Sequence, residues 1–165
     1  MQVTPTGEIK IRRAQERDIP GIDNLLEQVC MVHHAGRPDL FKGDHNRKYT
    51  DEQLKEMLIQ EDRPIFVAVD ENQEVLGYAF CVLQSHVGDN VLMDITTLYV
   101  DDLCVEEKLR GQHIGSALYE YVLRYAREQG CYNVTLNAWA CNEPAVRFYE
   151  SCGMKPQKIG METIL

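Results

Sequence analysis

Over 165 residues the chain carries one tryptophan, six prolines and only 17 lysines and arginines against 26 aspartates and glutamates. The resulting formal charge of −9 lacks the basic face that a phosphate-backbone binder needs, so no nucleic-acid partner is expected. No apolar run approaches the ~20 residues of a membrane span, so no membrane partner is expected either. The start, Met1 to Glu8, has no basic region followed by an apolar stretch, which argues against a secretory signal and for a cytoplasmic location. Six cysteines (Cys30, Cys81, Cys104, Cys131, Cys141 and Cys152) contain no Cys-x-x-Cys pair and no Cys/His spacing suited to zinc. The adjacent His33 and His34 are not at helical ligand spacing, so no metal centre is expected. The thiols are expected to be reduced.

What remains is the composition of an ordinary globular chain, 44% hydrophobic and 26% charged, of a length that fits one domain spanning residues 1–165. Ile9 to Arg12 alternates like a short strand. Asp18 is placed to cap a helix whose stripe is Ile19, Ile22, Leu25, Leu26, Val29 and Val32, with Pro20 tolerated in its first turn. His33 to Lys48 is polar and interrupted by Gly36, Pro38 and Gly43, and reads as a loop. Thr50 and Gln53 form a capping box for a second helix through about Glu61. Strands are expected at Pro64 to Val69, Val75 to Val87 and Val91 to Val105. Ile114, Ala117, Leu118, Tyr121, Val122 and Tyr125 mark an amphipathic helix that ends at Gly130. A strand from Cys131 to Trp139, a helix from Asn142 to Ser151 and a last strand from Ile159 to Leu165 complete a mixed α/β sandwich.

The chemistry concentrates in Leu103-Cys104-Val105-Glu106-Glu107-Lys108-Leu109-Arg110-Gly111-Gln112-His113-Ile114-Gly115-Ser116. A strand runs into a loop that opens a helix, and the free first-turn amides and positive dipole end of a helix attract anions. Gly111 and Gly115 allow close backbone approach, and Arg110 can add a charged fork. The Gly-Lys-[Ser/Thr] of a Walker loop is absent, as is the Gly-x-Gly-x-x-Gly of a dinucleotide fingerprint. A pyrophosphate-sized anion is the expected ligand; alternatively Gly111 serves only a turn and Arg110 a solvated loop.

Arg110-Gly111-Gln112-His113-Ile114-Gly115 resembles the acetyl-CoA loop of the GNAT acetyltransferase superfamily, with His113 where the pattern has its first glycine. Downstream, Asn142-Glu143-Pro144-Ala145-Val146-Arg147-Phe148-Tyr149 followed by Gly153 resembles the superfamily's second cofactor segment. The resemblance covers roughly Glu8 to Leu165. It implies a mostly antiparallel central sheet flanked by helices, with the fourth and fifth strands splayed, and acetyl-CoA in that cleft. Leu103, Cys104 and Val105 would contact its pantetheine arm through main-chain groups, Arg110 to Ser116 (including Gln112 and Ile114) would hold the pyrophosphate, and Asn142 the arm or the start of its own helix. Asn142 is also a natural helix cap. Tyr149 falls at the family's general-acid position, although it also fits a packing stripe with Ala145 and Cys152.

Val100-Asp101-Asp102-Leu103-Cys104-Val105 is similar to the strand of spermidine/spermine acetyltransferases, where an acidic residue serves as base through water. That correspondence makes Asp101 the first candidate base. Asp102 should point to the opposite face unless the strand bulges. Asn137 stands where ribosomal-protein N-terminal acetyltransferases carry an acidic base, and its neutral amide argues against that mechanism. The loop from His33 to Phe41 lies where the superfamily builds its acceptor wall, although it reads equally as a solvated connector. Trp139 lines the cleft or joins the core. The expected activity is transfer of acetyl from acetyl-CoA to a primary amine by direct attack in a ternary complex. Cys104 lacks a histidine partner for an acyl-enzyme route. The negative net charge serves solubility alone or, where it bears on substrate, favours a small cationic acceptor. The alternatives are a protein or peptide α-amine acceptor, and a non-catalytic acyl-CoA-binding module. A homodimer is also expected, with Ile159 to Leu165 as a contributor.

Overall fold

A computed structural model describes residues 7–44 and 46–165. Among them, five strands and four α-helices follow in the order β1 (Lys10–Arg13), α1 (Ile19–Gly36), α2 (Asp51–Leu58), β2 (Ile65–Val69), β3 (Val75–Ser85), β4 (Thr96–Val105), α3 (Ile114–Glu128), β5 (Asn133–Leu136) and α4 (Glu143–Ser151). The strands form one open sheet in sequence order. The first three pairings are antiparallel, and β5 joins β4 in parallel across α3. The sequence pattern explains the layers. Ile65-Phe66-Val67-Ala68-Val69 is buried throughout because helices cover both faces of the sheet. One core packs Ile19, Ile22, Leu25, Leu26, Leu54 and Met57 of α1 and α2 on Ile65, Val67, Tyr78 and Phe80. The other packs Ile114, Leu118, Val122 and Ala126 of α3 on Phe66, Ala68, Leu98 and Val100.

Helix starts follow local chemistry. Thr50 Oγ1 accepts from the Gln53 amide at 3.2 Å and Gln53 Oε1 from the Thr50 amide at 2.9 Å, the expected capping box. Asp18 stands at the start of α1 but does not cap it. Its buried carboxylate instead takes both guanidinium nitrogens of Arg12, at 2.7 and 2.9 Å, and the Gln15 amide. That charge-assisted fork outcompetes a neutral cap. Gly130 follows α3 with φ +71°, the left-handed geometry expected of it.

Several boundaries differ from the sequence reading. Helix α1 runs on through His33 and His34 to Gly36, because the apolar stripe ends before the backbone hydrogen bonds do. The strand expected from Val91 begins at Thr96, and Val87 lies beyond β3; Val87, Val91, Leu92 and Met93 are exposed, so apolar character there does not report a ladder. β5 is only four residues long, and α2 stops at Leu58, short of Glu61. Ile159 to Leu165 forms no strand, with Ile159, Met161, Ile164 and Leu165 all exposed. Alternation alone cannot make a strand without a neighbouring edge. Trp139 is 45% exposed, not core. Of the amino-terminal stretch, Met1 to Thr6 lies outside the described residues.

Leu118 is fully buried between α3 and the sheet. Leu118→Ala is expected to lower unfolding free energy by about 2–5 kcal/mol in urea titration. Ile59→Ala, at a position 83% exposed, should change it by less than about 0.5 kcal/mol.

Candidate functional site

β5 pairs with β4 only from Thr97↔Asn133 to Val100↔Leu136. Beyond Val100, β4 continues against β3 as far as Gly77↔Val105, so the other edge of Asp101 to Val105 is left by β5. The strands splay there. An uncovered edge presents main-chain donors and acceptors to an extended ligand. Leu103 and Val105 pack toward α3, while Cys104 is buried toward α1, its thiol near the Leu25 carbonyl. Burial pushes that thiol up to about 12, which disqualifies it as a nucleophile at neutral pH.

Next comes the glycine loop. Leu109 is buried and anchors a single helical turn, Glu107 to Leu109. Gly111 turns at φ +83°, and a Cβ there would meet nothing within 4 Å. Its requirement is therefore conformational, with open space beside it. His113, where the resembled pattern has glycine, also adopts a left-handed φ of +63°. A non-glycine residue in that region is strained, and strain of this kind gathers at binding sites.

The His113 side chain does not cap α3. Among the described residues, no backbone acceptor outside the helix takes the amides of Ile114, Gly115 or Ser116, and helix geometry supplies none within it. By contrast, α4 is capped by Asn142 Oδ1 on the Ala145 amide at 3.4 Å. Asn142 thus has the capping role anticipated for it. The loop is tied to α1 by two side chains the sequence reading did not single out. Glu106 accepts from Gln28 at 2.8 Å and Asn24 at 3.3 Å, and Gln28 Oε1 accepts the Glu107 amide at 3.2 Å. Their only local signal is i, i+4 spacing beside the apolar stripe.

The two motif segments meet in space. A Cβ on Gly115 would lie 3.2 Å from Phe148 Cζ and 3.6 Å from Val105 Cγ2, so the absence of a side chain lets α4 seat its ring on the first turn of α3. Phe148 packs edge-on against Tyr149. The Tyr149 hydroxyl is held well above its ordinary value, first by withdrawal from water and then by the negative potential of Asp102 and Cys104. A phenol in that state keeps its proton at neutral pH.

The acidic pair departs from simple alternation. β3 and β4 slip register between Phe80↔Asp102 and Cys81↔Val100, leaving Asp101 as an extra residue in β4. This bulge turns both carboxylates to the α1/α2 face, and the condition set by the sequence reading for Asp102 is met. Their environments diverge. Asp101 Oδ2 accepts from Lys48 Nζ and from the Tyr49 hydroxyl, each at 2.7 Å. Although burial opposes ionisation, these partners hold Asp101 below the ordinary carboxylate value. Asp102 accepts from the Tyr78 hydroxyl at 2.7 Å and from the Leu103 backbone, both neutral donors. Desolvation, opposed by Tyr78 and Lys48, pushes it up to about 6. Two neighbouring carboxyls with divergent acidities mark a functional site.

Beside Asp101, a cavity of about 170 Å³ is lined by Tyr49, Met57, Arg63, Phe80 and Tyr99, among others; Asp102 does not line it. Asn137 donates to the Tyr99 hydroxyl at 3.1 Å. The His33–Phe41 segment packs instead of dangling. Phe41 contacts the rings of His33 and Trp139, both at 5.0 Å between centroids, and His34 Nδ1 lies 2.7 Å from the Phe41 carbonyl oxygen. Among the described residues, no helix is long and apolar enough to cross a membrane, and no cluster of three His, Cys, Asp or Glu side chains is placed to hold a metal.

A Bacillus halodurans protein, the tetramutant of BH1408, has a similar structure, with a TM-score of 0.89 at 29% identity over 94% of this chain and 99% of that one. N-alpha-acetyltransferase 30 of Schizosaccharomyces pombe is 26% identical over 82% of this chain and 81% of its own. Glucosamine 6-phosphate N-acetyltransferase of Arabidopsis thaliana is 32% identical over 38% of this chain, a match that spans 40% of the relative's length. The family model described as "Acetyltransferase (GNAT) family" matches residues 31–154, three quarters of the chain and both motif segments, and the chain therefore belongs to the GNAT acetyltransferase family.

Proposed function

We propose that the chain transfers an acetyl group from acetyl-CoA to a primary amine by direct attack in a ternary complex, with a small amine as acceptor. The supporting observation is the placement of Asp102 and Tyr149 at the splay of β4 and β5, beside a helix terminus whose amides have no acceptor within the helix. Gly111, with open space around it, and the amides of Ile114 to Ser116 suit a diphosphate, with Arg110, Gln112 and His113 in the same loop. The uncovered edge of Leu103 to Val105 suits the pantetheine arm. When bound, the donor supplies an activated thioester. Asn142 caps the start of α4, the helix that carries Tyr149.

An acceptor arrives as an ammonium of pKa ~10 and must lose a proton before it can attack. Asp101, the first candidate from sequence, is already paired with Lys48 and Tyr49 and is a weaker base for it. Asp102, raised to about 6, is ionised at neutral pH yet basic enough to accept that proton, directly or through water. Tyr149 then gives its proton to the departing thiolate. The volume of about 170 Å³ beside Asp101 suits a small acceptor better than a polypeptide. A protein α-amine is the second reading, favoured by the similarity to N-alpha-acetyltransferase 30 over 82% of this chain and 81% of that one. The exposed apolar residues of Ile159 to Leu165 support a homodimer contact.

Thiol release from acetyl-CoA, measured with a panel of small amines, amino sugars, polyamines and peptides, tests the reading; coenzyme A binding without release from any acceptor would point to a binding module. Tyr149→Phe is expected to lower kcat by ~10²-fold or more while calorimetry shows acetyl-CoA affinity nearly unchanged. For the wild type, kcat/KM should fall as pH drops through about 6, because the base is then protonated. Asp102→Asn should abolish that limb and lower kcat/KM by ~10²-fold or more, whereas Asp101→Asn should keep it. The reverse pattern would return the base to Asp101.

Because the folded pKa of Asp102 is raised, its ionisation costs stability as pH climbs from the ordinary carboxylate range to about 6. Asp102→Asn should therefore raise the neutral-pH Tm even as activity is lost.

A further inference from the structure

The site already contains an amine. Lys48 Nζ lies 2.7 Å from Asp101 Oδ2 and 5.4 Å from the centroid of the Tyr49 ring, with its side chain 45% exposed. Its positive charge is felt at Asp102 and at His33 of the aromatic wall, and the charge of Asp102 is felt in turn at Tyr149. The ammonium thus sits on the α1/α2 side of the bulge, between the acceptor wall and the carboxyl pair. Its backbone is fixed there. The preceding Arg47 forms ion pairs with Asp23 of α1 and Asp51 of α2, the latter at 2.8 Å, and Thr50 closes the capping box two residues later. Although burial opposes its charge, the Asp101 carboxylate holds the Lys48 ammonium above its ordinary value, as it would hold a bound acceptor ammonium, and a proton must leave before the nitrogen can attack.

We propose that Lys48 is a self-acetylation site, its ε-amine occupying the acceptor position at the Asp101–Asp102 pair. The proposal rests on the acetyltransferase reading above and uses the same donor, an acetyl thioester. Two of the three ammonium protons leave. Asp102 takes one, which frees the lone pair on Nζ; an N–C bond then forms to the thioester carbonyl carbon as the C–S bond breaks. The second leaves the nitrogen as the amide forms, and replaces the proton that Tyr149 delivers to the thiolate. The products are Nε-acetyl-lysine, free thiol and one proton released to water.

Acetylation removes the positive charge, so the Lys48–Asp101 ion pair is lost and Asp101 becomes free to hold an acceptor ammonium. A chain supplied with acetyl donor but no acceptor would in this way prepare its own site.

The protein is incubated with isotopically labelled acetyl-CoA, without an acceptor and in parallel with an added small amine, and the label is located by mass spectrometry of the peptides and of the amine. The expected result is label on Lys48 at a fractional rate independent of protein dilution, at least tenfold faster than on the exposed Lys10, Lys108 and Lys155. Tyr149→Phe should slow labelling of Lys48 without changing the rate at the other lysines, and Lys48→Arg should leave no fast-labelled site. Uniform labelling of lysines, unaffected by Tyr149→Phe, would mean uncatalysed acylation and would overturn the proposal. Label on an added amine with none on Lys48 would overturn it while leaving the acetyltransferase reading intact. Label on neither would overturn both.

Discussion

Everything at the site depends on one extra residue in β4. Without Asp101 inserted between the pairs Cys81↔Val100 and Phe80↔Asp102, strict alternation would send one carboxylate into the α3 layer. An uncompensated charge cannot be buried there among Leu98, Val100 and Leu118. The bulge places both acids on the α1/α2 face. It falls at the point where β5 leaves the sheet, so the chemistry of the pair and the opening of the cleft share a location. Bulges re-aim side chains, and this one re-aims two.

The surrounding elements convert that placement into unequal chemistry. Asp101 meets a cation and a phenol and loses basicity, whereas Asp102 meets a phenol and a dry wall and gains it. Tyr149 reaches the same region from α4 because Gly115 leaves room for Phe148 on α3. The glycine therefore links two distant segments by packing, in addition to any service its amide gives to a ligand. Similarly, Asn24 and Gln28 tie α1 to the start of the glycine loop through Glu106, so side chains as well as the sheet join that helix to the loop.

Residue types and spacing carried much of the architecture. The stripes of α1 and α3, the Thr50–Gln53 box, the left-handed turn at Gly130 and the unbroken apolar run of β2 are all local effects, and they were legible for that reason. The two motif segments around Gly111 and Tyr149 were legible as well, because a helix terminus and its loop are written in contiguous residues. Exposed apolar residues were less informative. Those at Val87 to Met93 and at Ile159 to Leu165 read as strand, but a strand needs a partner edge, and periodicity says nothing about whether one is available. His33 and His34 read as loop because the apolar stripe had ended, although backbone hydrogen bonding carried α1 a full turn further.

The sequence by itself therefore determined the layers, the start of α2, the end of α3 and the family, since each rests on neighbours within a few positions. Only the tertiary structure decided which acid is free. The register slip, the contact of Lys48 with a carboxylate 53 residues away and the seating of Phe148 on Gly115 all join segments that are remote along the chain. Their relative acidities are set by desolvation and by partners that meet only when the sheet and helices close.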